Sequence, residues 1–208
     1  MKKKKSKNQN WEDYYSIKAK KEKFPARSVY KLKEIQEKYG LIKPGHKVLD
    51  LGCTPGSWLL YASEIAGKNG RLFGIDIVPI KHPMPSNVMV YEQNILSVDN
   101  EVFDEIGRDF DVVLSDMAPS TTGNKFTDSV RSFELSMAAL NIAISVLKND
   151  GHFVCKIFQG EDFQKFISYV KQTFRKYKIF KPKACRKESN EIYLIGIEKV
   201  MEVNNVGS

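Results

Sequence analysis

From residue 47 onward, short apolar runs of strand length alternate with stretches whose apolar residues recur every three or four positions. The runs 47–51 (KVLDL), 71–76 (RLFGID), 88–92 (VMVYE), 110–115 (FDVVLS) and 152–158 predict five strands. A glycine turn after the first leads into a helix from about Gly56 to Ala66. Val130, Phe133, Met137, Leu140, Ile144 and Leu147 line one face of a second helix, opened by Thr127-Asp128 and stopped by Asn149-Asp150-Gly151. Phe163, Phe166, Ile167, Val170 and Phe174 mark a third. Strands near Tyr177–Lys181 and at 191–198 close the pattern with no crossover helix between them, which predicts an antiparallel hairpin at the sheet edge. Upstream, residues 11–39 read as helix broken at Phe24-Pro25. The second piece is capped by Ser28, carries Val29, Leu32 and Ile35 at helical spacing, and ends at Gly40 before the turn Lys43-Pro44-Gly45. Strands alternating with helices imply an α/β fold with a mostly parallel, doubly wound sheet and an antiparallel last strand.

One domain over residues 11–200 accounts for nearly all of the 208 residues. Residues 1–10 (MKKKKSKNQN) are expected to form a disordered basic tail and residues 201–208 a loose C-terminal one. No apolar run approaches the ~18 residues of a membrane span, and the lysine-rich start lacks the apolar stretch of a secretory signal. The balance of 33 basic against 25 acidic residues, a formal charge of +8, favours a polyanionic partner. Cys53, Cys155 and Cys185 are odd in number, widely spaced and without a CxxC pair, which suggests neither a disulfide framework nor a zinc site and fits a reducing, intracellular compartment.

In an open α/β sheet, ligands sit beyond the carboxyl ends of the strands. The first such turn, Asp50 to Trp58 (DLGCTPGSW), is GxxPG rather than the GxGxxG of dinucleotide binders, and Pro55 removes a donor that a pyrophosphate would want. A nucleoside without phosphates fits better, which disfavours a nicotinamide-dependent oxidoreductase. Gly52 and Gly56 permit close approach, Asp76 at the end of the second strand offers two acceptor oxygens to ribose hydroxyls, and Asn94 after the third can meet an adenine edge. Asp116 ends the fourth strand. Lys156 stands inside the apolar run FVCKIF, where an ammonium is costly to desolvate. It is either an edge lysine or a functional one. The flanking helices make the strand central and favour function, with Asp116 and Glu191 as natural partners. Lys31, on an early helix, reads by itself as a solvated charge.

Together these residues resemble the RNA ribose 2′-O-methyltransferases of the FtsJ/RrmJ type, the large-subunit ribosomal RNA methyltransferase J family. Lys31, Asp116, Lys156 and Glu191 match its K-D-K-E tetrad, and SVYKLKEI, LIKPG, DLGCTPGSW, SDMAP, KIFQG and EIYLI extend the similarity from about Arg27 to Glu198. The resemblance implies a Rossmann-like fold that takes S-adenosylmethionine and releases S-adenosylhomocysteine, without a metal. It implies catalytic roles for Lys31, Asp116, Lys156 and Glu191, a secondary role for Tyr193, and a cofactor site at Gly52, Pro55, Gly56, Trp58, Asp76, Ile77, Asn94, Ile95 and Asp116. The chain departs from the pattern at Cys53, Thr54 and Ser57, where the family has smaller residues, and at Asn94, where it has an aspartate.

The chemical expectation follows from the hydroxyl, a weak acid and a poor nucleophile. Lys156 would either accept its proton or, as favoured here, position the oxygen and stabilise its developing charge; free lysine has pKa ~10.4, so a neutral base would need a depressed value. RNA would lie over the strand ends, with Lys18, Lys20, Lys21, Lys23 and Arg27 on its phosphates. The expected partner is ribosomal RNA of the large subunit or its precursor, bound by a monomer with no membrane. The resemblance places the protein in the cytoplasm if bacterial, in the mitochondrion or nucleolus if eukaryotic. Competing readings are the same chemistry on transfer RNA or an mRNA cap, and a non-catalytic RNA-binding factor of ribosome assembly.

Overall fold

The computed structural model describes residues 7–98, 100–186 and 188–200, with side chains described from residue 14 and not at residue 100. Helix α1 spans Lys7–Lys21 and α2 spans Val29–Tyr39; β1 (Lys47–Leu51), α3 (Ser57–Ala66), β2 (Arg71–Asp76), β3 (Val88–Glu92), α4 (Asn100–Ile106), β4 (Phe110–Ser115), α5 (Lys125–Val146), β5 (Leu147–Phe158), α6 (Phe163–Thr173), β6 (Phe174–Phe180) and β7 (Glu191–Lys199) follow. Of the expected tails, residues 1–6 and 201–208 lie outside the described residues, while α1 takes in residues 7–10.

The seven strands form one sheet in the order β3-β2-β1-β4-β5-β7-β6. The first five are parallel. β7 runs antiparallel to both neighbours and slots between β5 and β6, so the closing hairpin occupies one edge and β6 is its outer strand. β5 is therefore interior, and the edge-lysine alternative for Lys156 is excluded.

Strand side chains alternate between two covers. Leu49, Leu51, Phe73, Val113, Phe153 and Leu194 meet α4, α5 and α6, through residues such as Phe103, Leu140, Ala143 and Phe166. Val48, Leu72, Leu114, Val154 and Ile195 meet α2 and α3, through Leu32, Ile35, Leu59 and Ala62. A third cluster of Ala19, Phe24, Val29, Tyr30 and Ala184 binds α1 to the outside of this layer. Among the described residues no helix is long and apolar enough to cross a membrane.

Several boundaries differ from the sequence expectation for identifiable reasons. Ser28 is already helical and makes no side-chain cap; its carbonyl accepts from Trp58 Nε1 at 2.9 Å. α5 opens at Lys125, because Asn124 caps it by accepting from Phe126 N and Thr127 N, while Asp128 accepts from Thr122 N and Oγ1 and so ties down the preceding loop. Leu147 starts β5 opposite Phe110, and the register shifts before Val112 meets His152; Asp150 takes a left-handed φ of 61° in that irregular stretch. Phe174 leaves α6 for β6 because its ring stacks on Phe153, 6.0 Å away and 6° from parallel. Only glycine fits against its ring, since a Cβ at Gly196, which pairs with Phe153 and Tyr177, would come within 2.5 Å of it.

At the sheet edge where the parallel strands begin, Lys47 closes the end of α4. Its Nζ donates to Ile106 O and Arg108 O, both at 2.7 Å, and lies 4.2 Å over the Phe110 ring. Lys47→Met keeps the stem but orphans both carbonyls, and should destabilise the protein by about 1–3 kcal/mol. Urea denaturation measures this, and methyl transfer per folded molecule should stay unchanged because the site lies at the opposite edge.

Candidate active site

The carboxyl ends of the parallel strands share one edge, and the turns that leave them wall two adjoining hollows. The turn after β1 is made possible by Gly52 and Gly56, with φ of 75° and 99°. A Cβ on Gly52 would come within 2.4 Å of Met117 Cγ, so glycine alone lets the β1 and β4 turns close on each other. Gly56 caps α3 and faces Ile80 and His82; of the residues expected at the cofactor, it is the one placed away from both hollows.

The larger hollow, about 430 Å³, falls within the usual range of small-molecule sites and is lined by Gly52, Asp76, Ile77, Asn94, Ile95 and Asp116 among the expected residues. Asp76 accepts from Thr54 N and Val78 N, both at 2.9 Å, one on each carboxylate oxygen, so it shapes the turn and retains further acceptor sites. Asn94 spends Oδ1 on Leu96 N at 3.0 Å, capping a short 3-10 turn over Ile95–Ser97. Ile77 and Leu96 are 65% and 62% exposed at the rim, apolar surface that a flat hydrophobic ligand would cover.

The smaller recess, about 40 Å³, is lined by Pro55, Trp58 and Asp50, and shares Gly52, Thr54 and Asp116 with its neighbour. Both Asp50 carboxylate oxygens are buried without a hydrogen-bond partner. Burial, with the charges of Asp116 and Asp76, pushes this carboxyl well above the usual range. An orphaned acid in a recess that adjoins a nucleoside-sized hollow suits an amino-acid ammonium. The site thus fits S-adenosylmethionine, with Asp50 for the amino group, Asp76 for the ribose and Ile77, Leu96 and Asn94 around the base. Asp50 was not among the expected site residues, although an acid inside an apolar strand is the same signal as Lys156.

Beside the recess the structure brings the four expected catalytic residues together. Lys156, 6% exposed, places Nζ 2.5 Å from Asp116 O and 2.9 Å from Asp116 Oδ1. Lys31 Nζ lies 3.0 Å from Glu191 Oε2 and 3.7 Å from Asp116 Oδ1. Tyr193 OH donates to Asp116 Oδ1 at 2.5 Å, and its ring packs against Trp58. Burial alone would raise the Asp116 carboxyl, but Lys156, Lys31 and the Tyr193 hydroxyl hold it below the usual range. Burial alone would lower Lys31, but Asp116 and Glu191 hold it above. Burial and the two acids push the Tyr193 hydroxyl well up, so it stays a donor.

Lys31 reaches the site because the polar stripe of α2 is a docking face. One turn before it, Arg27 Nη2 donates to Ala184 O at 2.8 Å; one turn after, Glu34 accepts from Lys183 N and Ala184 N at 2.7 and 2.8 Å. These contacts fold the β6–β7 loop over Lys31. Arg27 is thereby tethered, and Lys18 pairs with Glu22 at 3.8 Å, which leaves Lys20, Lys21 and Lys23 exposed among the basic residues expected on RNA. Among the described residues no group of three or more His, Cys, Asp or Glu side chains is arranged to hold a metal ion.

Comparison with known proteins identifies the family. The chain is 51% identical over 208 residues, the full length of both proteins, to the ribosomal RNA large subunit methyltransferase E of Desulfosudis oleivorans. A Plasmodium falciparum protein described as a ribosomal RNA methyltransferase superposes with a TM-score of 0.72 at 30% identity, covering 85% of this chain and 99% of its own. Aeropyrum pernix fibrillarin, solved with natively bound S-adenosyl-L-methionine, shares the fold at 15% identity and a TM-score of 0.56, covering 76% of this chain and 68% of its own. The model of the FtsJ-like methyltransferases matches residues 24–199, and the chain belongs to that family.

Proposed function

We propose that the protein transfers the methyl group of S-adenosylmethionine to a ribose 2′-hydroxyl in ribosomal RNA of the large subunit. The observation that carries this reading is the buried Lys156, held by Asp116 beside a nucleoside-sized hollow and an adjoining recess that holds an orphaned acid. The full-length similarity to a ribosomal RNA large subunit methyltransferase supports the substrate. The bound cofactor supplies an activated sulfonium methyl.

The protein must then present the hydroxyl in line and handle its proton. Lys156 Nζ donates to the Asp116 carbonyl and forms an ion pair with its carboxylate, and a further N–H would take the ribose oxygen. Held so, it would position the nucleophile and stabilise the charge that grows on oxygen as the O–C bond forms; the methyl–sulfur bond of the bound cofactor would break, leaving S-adenosylhomocysteine, and the hydroxyl proton would pass to solvent water. Lys31 adds positive potential from the substrate side, while Glu191 and Asp116 keep the cluster neutral enough to stay buried. Tyr193 orients Asp116. RNA crosses the strand ends toward the exposed lysines of the N-terminal region.

Lys156→Ala should cut methyl transfer by roughly 10²–10³-fold while S-adenosylhomocysteine affinity, read by calorimetry, stays within about threefold; retained turnover defeats the assignment. Asp116 contributes stability that is present above its unfolded pKa of ~3.9 and is lost as pH falls through its lower folded value. Asp116→Asn should therefore be clearly less stable than wild type at neutral pH, and the gap should narrow below about pH 4, as chemical denaturation at both pH values would report. RNA affinity should fall steeply with salt, and a flat response would remove the basic face from the interface. Ribose-methylation mapping of cellular RNA with and without the protein tests the substrate: loss of one site in large-subunit RNA is expected, and loss confined to transfer RNA contradicts the proposal.

A further inference from the structure

The sheet loses a strand beside the central lysine. β4 and β5 stay paired as far as Ser115 and Cys155, where β4 ends, while β5 continues to Phe158. β4 departs there because the Asp116 carbonyl and carboxylate both turn to Lys156 Nζ. On its other side β5 remains paired with β7 through Phe158 and Glu191, and Gln159 N donates to Asn190 O at 3.0 Å. Successive strand N–H groups point to opposite sides, so Phe158 N–H faces the side that β4 has left, as does the Lys156 carbonyl. Buried backbone groups need partners.

α5 supplies them. Phe158 N donates to Ser132 Oγ at 2.9 Å, and Ser136 Oγ donates to Lys156 O at 3.1 Å, sharing its proton with Ser132 O at 2.7 Å. Cys155 Sγ lies 3.3 Å from the same Lys156 carbonyl. Both serines are buried and sit one turn apart on α5. Neither serine lines the two hollows of the site, and apolar residues would pack in their place at no loss of helix propensity.

We propose that Ser132 and Ser136 are positioning residues for methyl transfer, acting as a two-hydroxyl substitute for the missing strand. They fix the main chain from Lys156 to Phe158 while Asp116 fixes the lysine's Nζ, so the ammonium is held at both ends of a flexible four-carbon stem. The inference rests on the reading that Lys156 acts on the ribose oxygen. Because in-line transfer is sensitive to small displacements, freeing the main-chain end should slow the reaction without weakening either substrate.

The test measures methyl transfer to undermethylated large subunits per folded molecule for Ser136→Ala, Ser132→Ala, the double variant and Lys156→Ala. Ser136→Ala is expected to lower kcat roughly tenfold, and the double variant further, with KM for RNA and for S-adenosylmethionine within about twofold of wild type. Should Ser136→Ala not fold, Ser136→Cys keeps the volume with a far weaker donor and carries the same expectation. If kcat of these variants stays within about twofold of wild type, or the loss appears in KM instead, the inference is overturned. Turnover by Lys156→Ala would instead overturn the underlying reading, which separates the two failures.

Discussion

The contact between Lys156 and Asp116 is the constraint around which the site is built. An ammonium in the middle of a seven-stranded sheet is untenable alone, because desolvation costs several kcal/mol per ion even after relaxation. One carboxylate 2.9 Å away, backed by a carbonyl at 2.5 Å, makes it tenable. Asp116 in turn is kept ionised by two lysines and oriented by Tyr193. The result is a neutral cluster of two acids and two amines, placed beside Asp50, whose buried carboxylate has no hydrogen-bond partner among the described residues.

Topology explains why these groups meet. Parallel strands send their carboxyl ends to one edge, so Asp50, Asp76 and Asp116 converge from β1, β2 and β4. β7 enters antiparallel between β5 and β6, which brings Glu191, at its start, opposite Phe158 at the end of β5. A parallel strand in that place would have carried Glu191 to the far edge. Lys31 is the one member not delivered by the sheet. It depends on the Arg27 and Glu34 contacts that pin the β6–β7 loop to α2.

What could be read from the chain tracks how local each signal is. Lys156 is conspicuous because a charge interrupts an apolar strand, and the inner parallel strands β1, β2, β4 and β5 are conspicuous because burial on both faces produces near-continuous apolar runs. Asp50 gave the same signal as Lys156 but is masked by the glycine turn that follows it. Lys31 is illegible locally: a polar stripe on α2 looks solvated until a loop more than 140 residues away closes over it. The position of β7 inside the hairpin is a non-local pairing that no periodicity encodes. The start of α5 and the end of α6 shifted where Asp128 and Phe174 turned their side chains to partners outside the helix.

A double-mutant cycle on folding stability with Lys156→Met, Asp116→Asn and the combined variant measures whether burial of Lys156 depends on its pairing with Asp116. Each single change leaves a buried charge short of its partner, so the account predicts that the double variant loses less than the sum of the singles by more than about 1 kcal/mol. Additivity within about 0.5 kcal/mol would contradict it.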